Sequence, residues 1–466
     1  MSVVFAQADD SARARHALLA AIVIVSATII GLWIRWQLRE HTTSDTFKYL
    51  LPWYELAKSG GVDSLRQGLT NYAPFYSYLL LLATWFDGVL PPLFLIKAIS
   101  FVFEFGCALL GYSLVAAGLR NGRPLLPALA FAAIWLAPNA LYNGAMWGQA
   151  DAIWTFFVLL SIYLICRKSY RWAVLAFGMA VSVKLQAVFL GPLIFALVLQ
   201  RRLHWAWLGA IPAVYLVVAL PTIALGRPLL DVLAIYLRQA EFFSALSMGA
   251  ANLWLFVPNQ FYGPGVAVGL ALGAAAGLAF SIYAARQQDW SPAFIVLAAA
   301  VALQLMPWIL PKMHDRYFYA FETTAILLAF LEPRLALVAI MAQVNAVLSY
   351  LSFDFRRGLP MLGTPLAALL NTLTLGFVVR RFVAGPFSAF AFTVSATAIV
   401  LAYCLWLTGL AATTAPAEIS TWWPVNKTDV AGLAVYLVVM LGVTVIVATP
   451  FALRRRRHTP VSAPIE

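Results

Sequence analysis

The sequence is poor in charged residues and in cysteine. Only 11% of its 466 residues are charged and 63% are hydrophobic, whereas soluble proteins have about a quarter of their residues charged. The three cysteines, Cys107, Cys166 and Cys404, lie inside apolar runs and form no CxxC motif. An odd number in this arrangement argues against a disulfide framework and against a zinc site.

The sequence also lacks the phosphate-binding motifs of nucleotide-dependent proteins. It contains no GxxxxGK[ST] and no GxGxxG after a strand, so neither a soluble nucleotide sugar nor ATP is expected as an energy source. The net charge of +12 arises largely from short basic clusters between apolar runs. Because membrane topology signals are distributed in this way, nucleic acid is not an expected partner.

Long apolar runs recur along the whole chain and predict an all-α polytopic membrane protein in a lipid bilayer. The first run, at about 17–36, lacks the small-residue cleavage site of a secretory signal, so we interpret it as the first membrane helix. We expect about 12 to 14 transmembrane helices. If the basic clusters face the cytoplasm, fourteen crossings place both termini inside. Candidate helices begin near residues 17, 93, 124, 151, 172, 187, 205, 264, 291, 317, 335, 361, 384 and 431.

Two segments are too short for ordinary crossings. Residues 74–92 are apolar but end in two prolines, and we interpret them as re-entrant, interfacial or half of a short pair. Residues 172–200 must make two crossings in a length that suits one helix of about 20 residues. Short helices of this kind are tolerated where they line a cavity inside the protein.

The predicted topology places the unusual polar residues on the outer side of the membrane. The first outer loop, 37–73, contains Asp45 directly after the first helix, followed by a stretch expected to form a helix lying in the interface. Two interpretations of Asp45 remain open, an N-cap and a functional carboxylate. The other outer segments are 139–151, 184–186, 226–262, 311–316 and 412–430.

A second polar group stands in Asn143–Trp154, where Gln149 and Asp151 open a membrane helix beside Trp147. Helix capping with an interfacial tryptophan belt is one interpretation. A Trp-Gly-Gln-x-Asp sequence is more specific than a belt requires, because glycine allows close backbone approach next to an amide donor.

Five titratable side chains in the outer segments, four of them basic, indicate anion binding. Lys184 interrupts an apolar run, where it either snorkels to the interface or meets an anion in a cavity. Lys312, His314, Asp315 and Arg316 stand together in "LPKMHDRYFYAF", between two apolar runs. An outer loop with a local ion pair is the simpler interpretation, but the arginine fork also suits phosphate oxygens.

These residues occur in an order that resembles the multi-pass glycosyltransferases of the GT-C class. The likeness rests on the acidic Asp45 after the first helix, then Trp147–Asp151, Lys184 in "SVKLQ" and Met313–Tyr317. It is nearest to bacterial proteins related to the GPI-anchor mannosyltransferases. A more distant likeness is to dolichyl-phosphate-glucose-dependent glucosyltransferases, whose Tyr-Lys-Gln and His-x-His-Glu-Lys segments look like 183–186 and 312–316. The resemblance covers roughly residues 40–330.

The resemblance implies transfer of a mannose-like hexose from a polyprenyl-phosphate carrier to a lipid-linked glycan, lipid or exported protein. Asp45 would be the general base, with inversion at the anomeric carbon. Lys184, Lys312, His314 and Arg316 would bind the donor phosphate, and four further residues would support the site: Trp147, Gln149, Asp151 and Asp315. No cofactor is expected. Relatives carry paired acids where this chain has Ser44-Asp45-Thr46, which argues against a divalent metal, since hard cations prefer several oxygen ligands.

The expected organisation follows from the same resemblance. Residues 1–16 form a cytoplasmic tail, 17–331 a GT-C-like catalytic membrane module, 332–452 C-terminal transmembrane helices and 453–466 a basic cytoplasmic tail. The composition and short loops favour a bacterial inner membrane, with the site facing the periplasm or exterior. Two other functions remain open, a lipid-linked sugar transporter or flippase and a non-catalytic subunit of a glycan assembly system.

Overall fold

The computed structural model describes residues 2–119, 124–354 and 364–383. The predicted helices near 384 and 431, the loop 412–430 and the basic terminal tail lie outside the described residues. Within the described ranges the protein is almost entirely helical, with one pair of two-residue strands. The prediction of an all-α polytopic membrane protein is confirmed to this extent.

The first half of the described chain contains nine α-helices. They are α1 (Ser2–Gln37), α2 (Leu51–Gly60), α3 (Ser64–Gln67), α4 (Pro74–Thr84), α5 (Pro92–Gly118), α6 (Leu125–Trp135), α7 (Pro138–Ala140), α8 (Asp151–Cys166) and α9 (Tyr170–Val181). Two π-helical segments, Thr46–Leu50 and Leu141–Trp147, and a 3₁₀ turn, Gly61–Asp63, lie between them.

The second half continues as α10 (Gly191–Leu199), α11 (Ala210–Ala224), α12 (Leu229–Leu233), α13 (Ile235–Phe242), α14 (Tyr262–Ala285), α15 (Pro292–Ile309), α16 (Tyr319–Leu331), α17 (Ala336–Asp354) and α18 (Thr364–Phe382). The 3₁₀ turns are Leu185–Leu190, Trp205–Gly209, Leu253–Phe256, Asn259–Phe261 and Pro333–Leu335. Strands β1 (Ser247–Met248) and β2 (Met313–His314) pair in parallel.

Seven of the described helical segments are long and apolar enough to cross a membrane: Ala14–Gln37, Pro92–Gly118, Leu125–Trp147, Trp205–Ala224, Asn259–Ala285, Pro292–Ile309 and Pro333–Leu351. Five shorter apolar helices accompany them. The two segments predicted to be too short for ordinary crossings, 74–92 and 172–200, form short helices. The first contains the 11-residue α4, and the second contains the pair Tyr170–Val181 and Leu185–Leu199. Helix α1 begins at Ser2, well before the predicted start near residue 17.

Burial separates central helices from peripheral ones. In α15, 67% of the residues are buried, Ala298–Ala302 among them, and the helix packs against α8, α16 and α18. In α1 and in Trp205–Ala224 the buried share is only 17%, and large apolar side chains such as Ile29 face outward. Exposed apolar surface of this kind suits contact with lipid tails.

Buried charges fix the place where the chain leaves α1. Arg35 donates to Glu104 of α5 at 2.7 Å and its guanidinium lies over an indole ring. Lys97, also on α5, donates to the backbone carbonyls of Leu38 at 3.0 Å and His41 at 2.7 Å. These bonds compensate charges that are costly in a membrane interior, and they hold the start of the loop that carries Asp45.

One face of α14 consists of glycines spaced four residues apart, Gly265, Gly269, Gly273 and Gly277, and all four are buried. A Cβ on Gly269 would lie 2.5 Å from the ring of Trp254 and 2.7 Å from Pro311. The missing side chains therefore let the loop before α14 and the end of α15 approach closely, as small residues do between membrane helices. This packing positions the segment that follows Pro311.

Candidate functional site

A cavity of about 1630 Å³ opens among the polar loops. Segments around residues 44–53, 70–72, 185–189, 227–248 and 310–317 and one side of α14 form its walls. Six of the nine predicted site residues line it: Asp45, Gln149, Lys312, His314, Asp315 and Arg316. The other three, Trp147, Asp151 and Lys184, are buried directly behind this wall.

Asp45 is fixed by two donors from the second polar group. Its Oδ2 accepts a hydrogen bond from Trp147 Nε1 at 2.9 Å and another from Gln149 Nε2 at 2.8 Å. Among the described residues, Oδ1 has no hydrogen-bond partner. The carboxylate is therefore held in place through one oxygen while the other is available to a ligand in the cavity.

The capping interpretation of Asp45 is wrong. Its side chain makes no hydrogen bond to the helix that follows. The hydroxyl of Thr46 instead accepts a bond from the backbone N–H of Thr43 at 3.0 Å. The local turn is thus closed by its neighbour, which leaves the aspartate side chain for long-range contacts.

A wide π-helical turn brings the two donors to Asp45. The turn Leu141–Trp147 ends at Gly148, whose φ of 78° is a left-handed conformation that favours glycine. The backbone N–H of Gln149 then donates to the carbonyl of Asn143 at 2.9 Å, and Ser100 donates to the carbonyl of Gln149 at 2.6 Å. π-Helical turns are frequent at functional sites because they displace side chains from the regular helix spacing.

Asp151 organises the cations behind the wall. Its carboxylate accepts hydrogen bonds from Lys184 at 2.8 Å, Asn143 at 3.1 Å and Trp154 at 3.1 Å, and Arg316 Nε lies 3.6 Å away. Asp151 makes no capping bond. Trp147 and Trp154 are fully buried, so they do not form an interfacial belt.

The position of Lys184 differs from the predicted direct contact with phosphate. Its ammonium is bound to Asp151 and lies over the ring of Tyr72, 4.7 Å from the centroid, and it does not line the cavity. Lys184 neutralises the carboxylate that also lies beside Arg316. Its contribution to the cavity is therefore indirect, through the charge and position of that arginine.

The segment after α15 is held by strand pairing and by hydrogen bonds from an amide and an indole side chain. Asn252 Nδ2 donates to the carbonyls of Pro307 and Leu310 at 3.2 and 3.1 Å, and Trp254 Nε1 to that of Ile309 at 2.7 Å. Pairing of β2 with β1 follows, after Lys312, whose φ of 63° is unusual for a residue with a side chain. These contacts turn the segment across the cavity wall.

The side chains of this segment present cations and one neutral ring. Lys312 donates to the hydroxyl of Tyr262. Arg316 lies over the Trp147 ring, 5.2 Å from the centroid, and its Nε has no hydrogen-bond partner within the described ranges. His314 contacts the rings of Phe243 and Tyr317 at 5.3 and 5.1 Å.

Burial controls the ionisation of two of these groups. It lowers the pKa of His314, with a further contribution from the charge of Arg316, so the imidazole is neutral at neutral pH. Burial raises the pKa of Asp315 to about 7. Asp315 Oδ1 accepts the backbone N–H of Arg316 at 2.9 Å and faces its guanidinium at 3.7 Å.

The cavity lining carries more basic than acidic side chains. Five basic residues, Lys48, Arg227, Arg238, Lys312 and Arg316, stand against three acidic ones, Asp45, Glu241 and Asp315. The sequence interpretation missed Lys48, Arg227 and Arg238. Positive charge in loops of the predicted outer side, contrary to the usual preference for the cytoplasmic side, was a signal that could have identified the two arginines. An excess of fixed cations in a partly closed cavity favours an anionic ligand.

No protein-family model matches this chain, and no curated protein matches it either. Within residues 2–119, 124–354 and 364–383, no group of three or more His, Cys, Asp or Glu side chains is arranged to hold a metal ion. The function is therefore inferred from the chemistry of the cavity.

Proposed function

We propose that this protein is an integral membrane glycosyltransferase of the GT-C type that uses a polyprenyl-phosphate-linked hexose. The observation that carries the proposal is the position of Asp45. A carboxylate held through Oδ2 by Trp147 and Gln149 lines the same cavity as Lys312 and Arg316. A base and a set of phosphate-binding cations are thus available to one substrate pair.

The cavity suits a phosphate on a lipid tail. Its cations lie beside an apolar wall that includes Val188, Val266 and Leu270, and the last of these is largely exposed on the outside of α14. A polyprenyl chain gains favourable contacts with such a wall. Its phosphate reaches Arg316 and Lys312, whose donors suit phosphoryl oxygens.

In the proposed transfer, Asp45 receives the proton of the acceptor, and two cations stabilise the leaving phosphate. The acceptor hydroxyl oxygen attacks the anomeric carbon of the hexose, and Asp45 Oδ1 takes its proton. The bond from that carbon to the phosphate oxygen breaks, and polyprenyl phosphate leaves with the electron pair. Arg316 and Lys312 stabilise the growing negative charge on the leaving phosphate. A single displacement of this kind inverts the anomeric centre.

The proposal retains the finer predictions of the sequence interpretation. The bundle is GT-C-like with about 12 to 14 crossings, the hexose is mannose-like, and the acceptor is a lipid-linked glycan, lipid or exported protein on the outer face. A bacterial inner membrane is the proposed location.

The direct experiment offers the purified full-length protein a panel of labelled polyprenyl-phosphate hexoses in proteoliposomes that contain a membrane lipid extract as the source of acceptor. We expect one donor to be consumed, with release of polyprenyl phosphate and a new sugar-containing product. Movement of an intact lipid-linked sugar between leaflets without a new product would contradict the proposal and identify a transporter.

A further inference from the structure

A second group of cations lies at the cavity, apart from the proposed donor site. Arg227 and Arg238 line the cavity, and Arg66 lies beside Arg227. Nη2 of Arg227 lies 2.8 Å from the position that a Cβ on Gly68 would take, and Nε of Arg66 lies 3.4 Å from the equivalent position on Gly226. Each arginine therefore packs against the chain segment of the other.

Hydrogen bonds connect the chain segments that carry this second group of cations. Thr222 at the end of α11 donates from its hydroxyl to the carbonyl of Leu65 in α3 at 2.6 Å, and the backbone N–H of Arg227 donates to the carbonyl of Thr222 at 3.1 Å. The side chain of Gln239 donates to the carbonyl of Asn71. The arginines therefore lie on chain segments that are held against one another by hydrogen bonds.

The positive charge of this group is poorly compensated. Arg238 pairs with Asp231 at 3.3 Å, and both side chains are 53% exposed. The side chain of half-buried Arg227 makes no hydrogen bond or ion pair within the described part of the chain, and neither does that of Arg66. Burial and then the charge of Arg238 lower the pKa of Arg227. Asp231 pairs with Arg238 and not with Arg227, so the half-buried guanidinium of Arg227 is left to bind a counter-ion.

Arg316 and Arg227 have different charged neighbours among the described residues. Arg316 faces Asp151 and Asp315, whereas Arg227 has Arg238 and Asp231 as its charged neighbours. A polyprenyl-phosphate sugar carries one anionic group, and the donor site already supplies cations for it. The second group therefore has to serve a different anion.

We propose that Arg227, with Arg238, binds a phosphate group of the acceptor. This inference rests on the proposed function, because it assigns the cavity to two substrates, and it restricts the acceptor to a phosphorylated molecule. The site places the acceptor phosphate on the Gly226–Phe243 side of the cavity, with the acceptor hydroxyl directed towards Asp45.

The test measures how fast phenylglyoxal modifies Arg227 in the purified full-length protein, by peptide mass spectrometry, with and without inorganic phosphate. We expect modification to slow about fivefold at about four times the dissociation constant, since the free fraction of a site is 1/(1 + [L]/Kd). Exposed Arg286, outside the cavity lining, is the internal control and should not be protected.

Two variants of the donor site show whether the second site is independent. Protection of Arg227 should persist in Arg316→Gln and in Lys312→Gln. The second variant is the safer to fold, because Arg316 lies beside two buried carboxylates whereas Lys312 contacts the hydroxyl of Tyr262. Protection that disappears in both folded variants, or protection no greater than that of Arg286, would overturn the proposal.

Two further measurements complete the test. One distinguishes a bilayer headgroup from an acceptor phosphate, and the other shows whether the anion site stands without the proposed function. Protection by phosphatidylglycerol nanodiscs without protection by inorganic phosphate would assign the arginines to a bilayer headgroup and overturn the acceptor site. If no polyprenyl-phosphate hexose is consumed while Arg227 remains protected by inorganic phosphate, the transferase proposal fails and the anion site stands.

Discussion

At the scale of single residues, the site depends on how Asp45 is held. Two N–H donors from Trp147 and Gln149 meet at one carboxylate oxygen. This arrangement fixes the direction of the other oxygen without blocking it. Loss of either donor should therefore misplace the base while leaving the cavity and its cations in place.

Trp147→Phe tests this positioning. The substitution keeps an aromatic ring beside Arg316 and removes the N–H that binds Asp45. We expect kcat to fall about 10- to 100-fold, because a hydrogen bond to a charged group contributes about 1.5–3 kcal/mol. The KM for the donor should change little, which steady-state kinetics with the lipid-phosphate sugar will show.

The matched control is Trp172→Phe, since Trp172 is 66% exposed on α9. Its activity should equal that of the wild type. A Trp147→Phe variant that folds and keeps full kcat would show that this indole does not position the base.

The raised pKa of Asp315 predicts that binding of the sugar donor depends on pH. With its pKa raised to about 7 by burial, the carboxyl is neutral below that pH and becomes a carboxylate beside Arg316 above it. The carboxylate competes with phosphate for the guanidinium, so donor affinity should be higher at about pH 6 than at about pH 8. The other charges facing Asp315 are those of Asp45 and Asp151, and His314 is neutral throughout this range.

The measurement is the Kd of a polyprenyl-phosphate sugar across this pH range. The probe is a phosphodiester, so its own charge does not change. In Asp315→Asn the affinity should become independent of pH. The same raised pKa implies that the contribution of Asp315 to the free energy of unfolding is favourable at low pH and is lost as the pH rises through 7. An unchanged pH profile in the variant would contradict this assignment.

At the scale of secondary-structure elements, the glycine face of α14 sets the position of the cation-bearing segment. Gly269 is in closest contact with Trp254 and Pro311. Gly269→Ala places a methyl group where an indole and a proline ring already lie. We expect a loss of about 1–3 kcal/mol in stability, as overpacking commonly causes, together with a higher KM for the donor.

Gly263→Ala is the control on the same helix, because a Cβ there would meet nothing within 4 Å. Thermal unfolding in detergent and donor KM should both match the wild type. Equal stability and KM in the two alanine variants would show that close packing at Gly269 does not position the segment.

Sequence patterns predicted the elements better than their contacts. Apolar runs predicted most described helices near their observed starts, because length and hydropathy report membrane crossings directly. The site residues were predicted because they are polar or charged side chains that stand between apolar membrane runs. Their pairings were not predictable, since Asp45 meets Trp147 and Gln149 only through a π turn, and Lys184 meets Asp151 across 33 positions. Arg227 was missed because its one signal, a positive charge in a loop predicted to be on the outer side, was not used.

At the scale of the whole molecule, the proposal requires the cavity to open on the outer face of the membrane. Ser59→Cys, at an exposed position of α2 in the predicted first outer loop, should react with a membrane-impermeant maleimide in intact cells, in a background without native cysteines. Gln288→Cys, exposed in the turn after α14, should react only after permeabilisation. The basic residue Arg286 beside that turn favours the cytoplasmic side. The reverse labelling pattern would contradict an outward-facing transferase.

The most direct test of the central claim compares transfer by Asp45→Asn with transfer by Asp63→Asn. Asp63 is an exposed acid on the same loop and does not line the cavity. Asparagine is isosteric and cannot take the acceptor proton. We expect Asp45→Asn to lose at least about 10²–10⁴-fold in kcat while donor binding is retained, and Asp63→Asn to equal the wild type. Wild-type turnover by a folded Asp45→Asn protein would contradict the account.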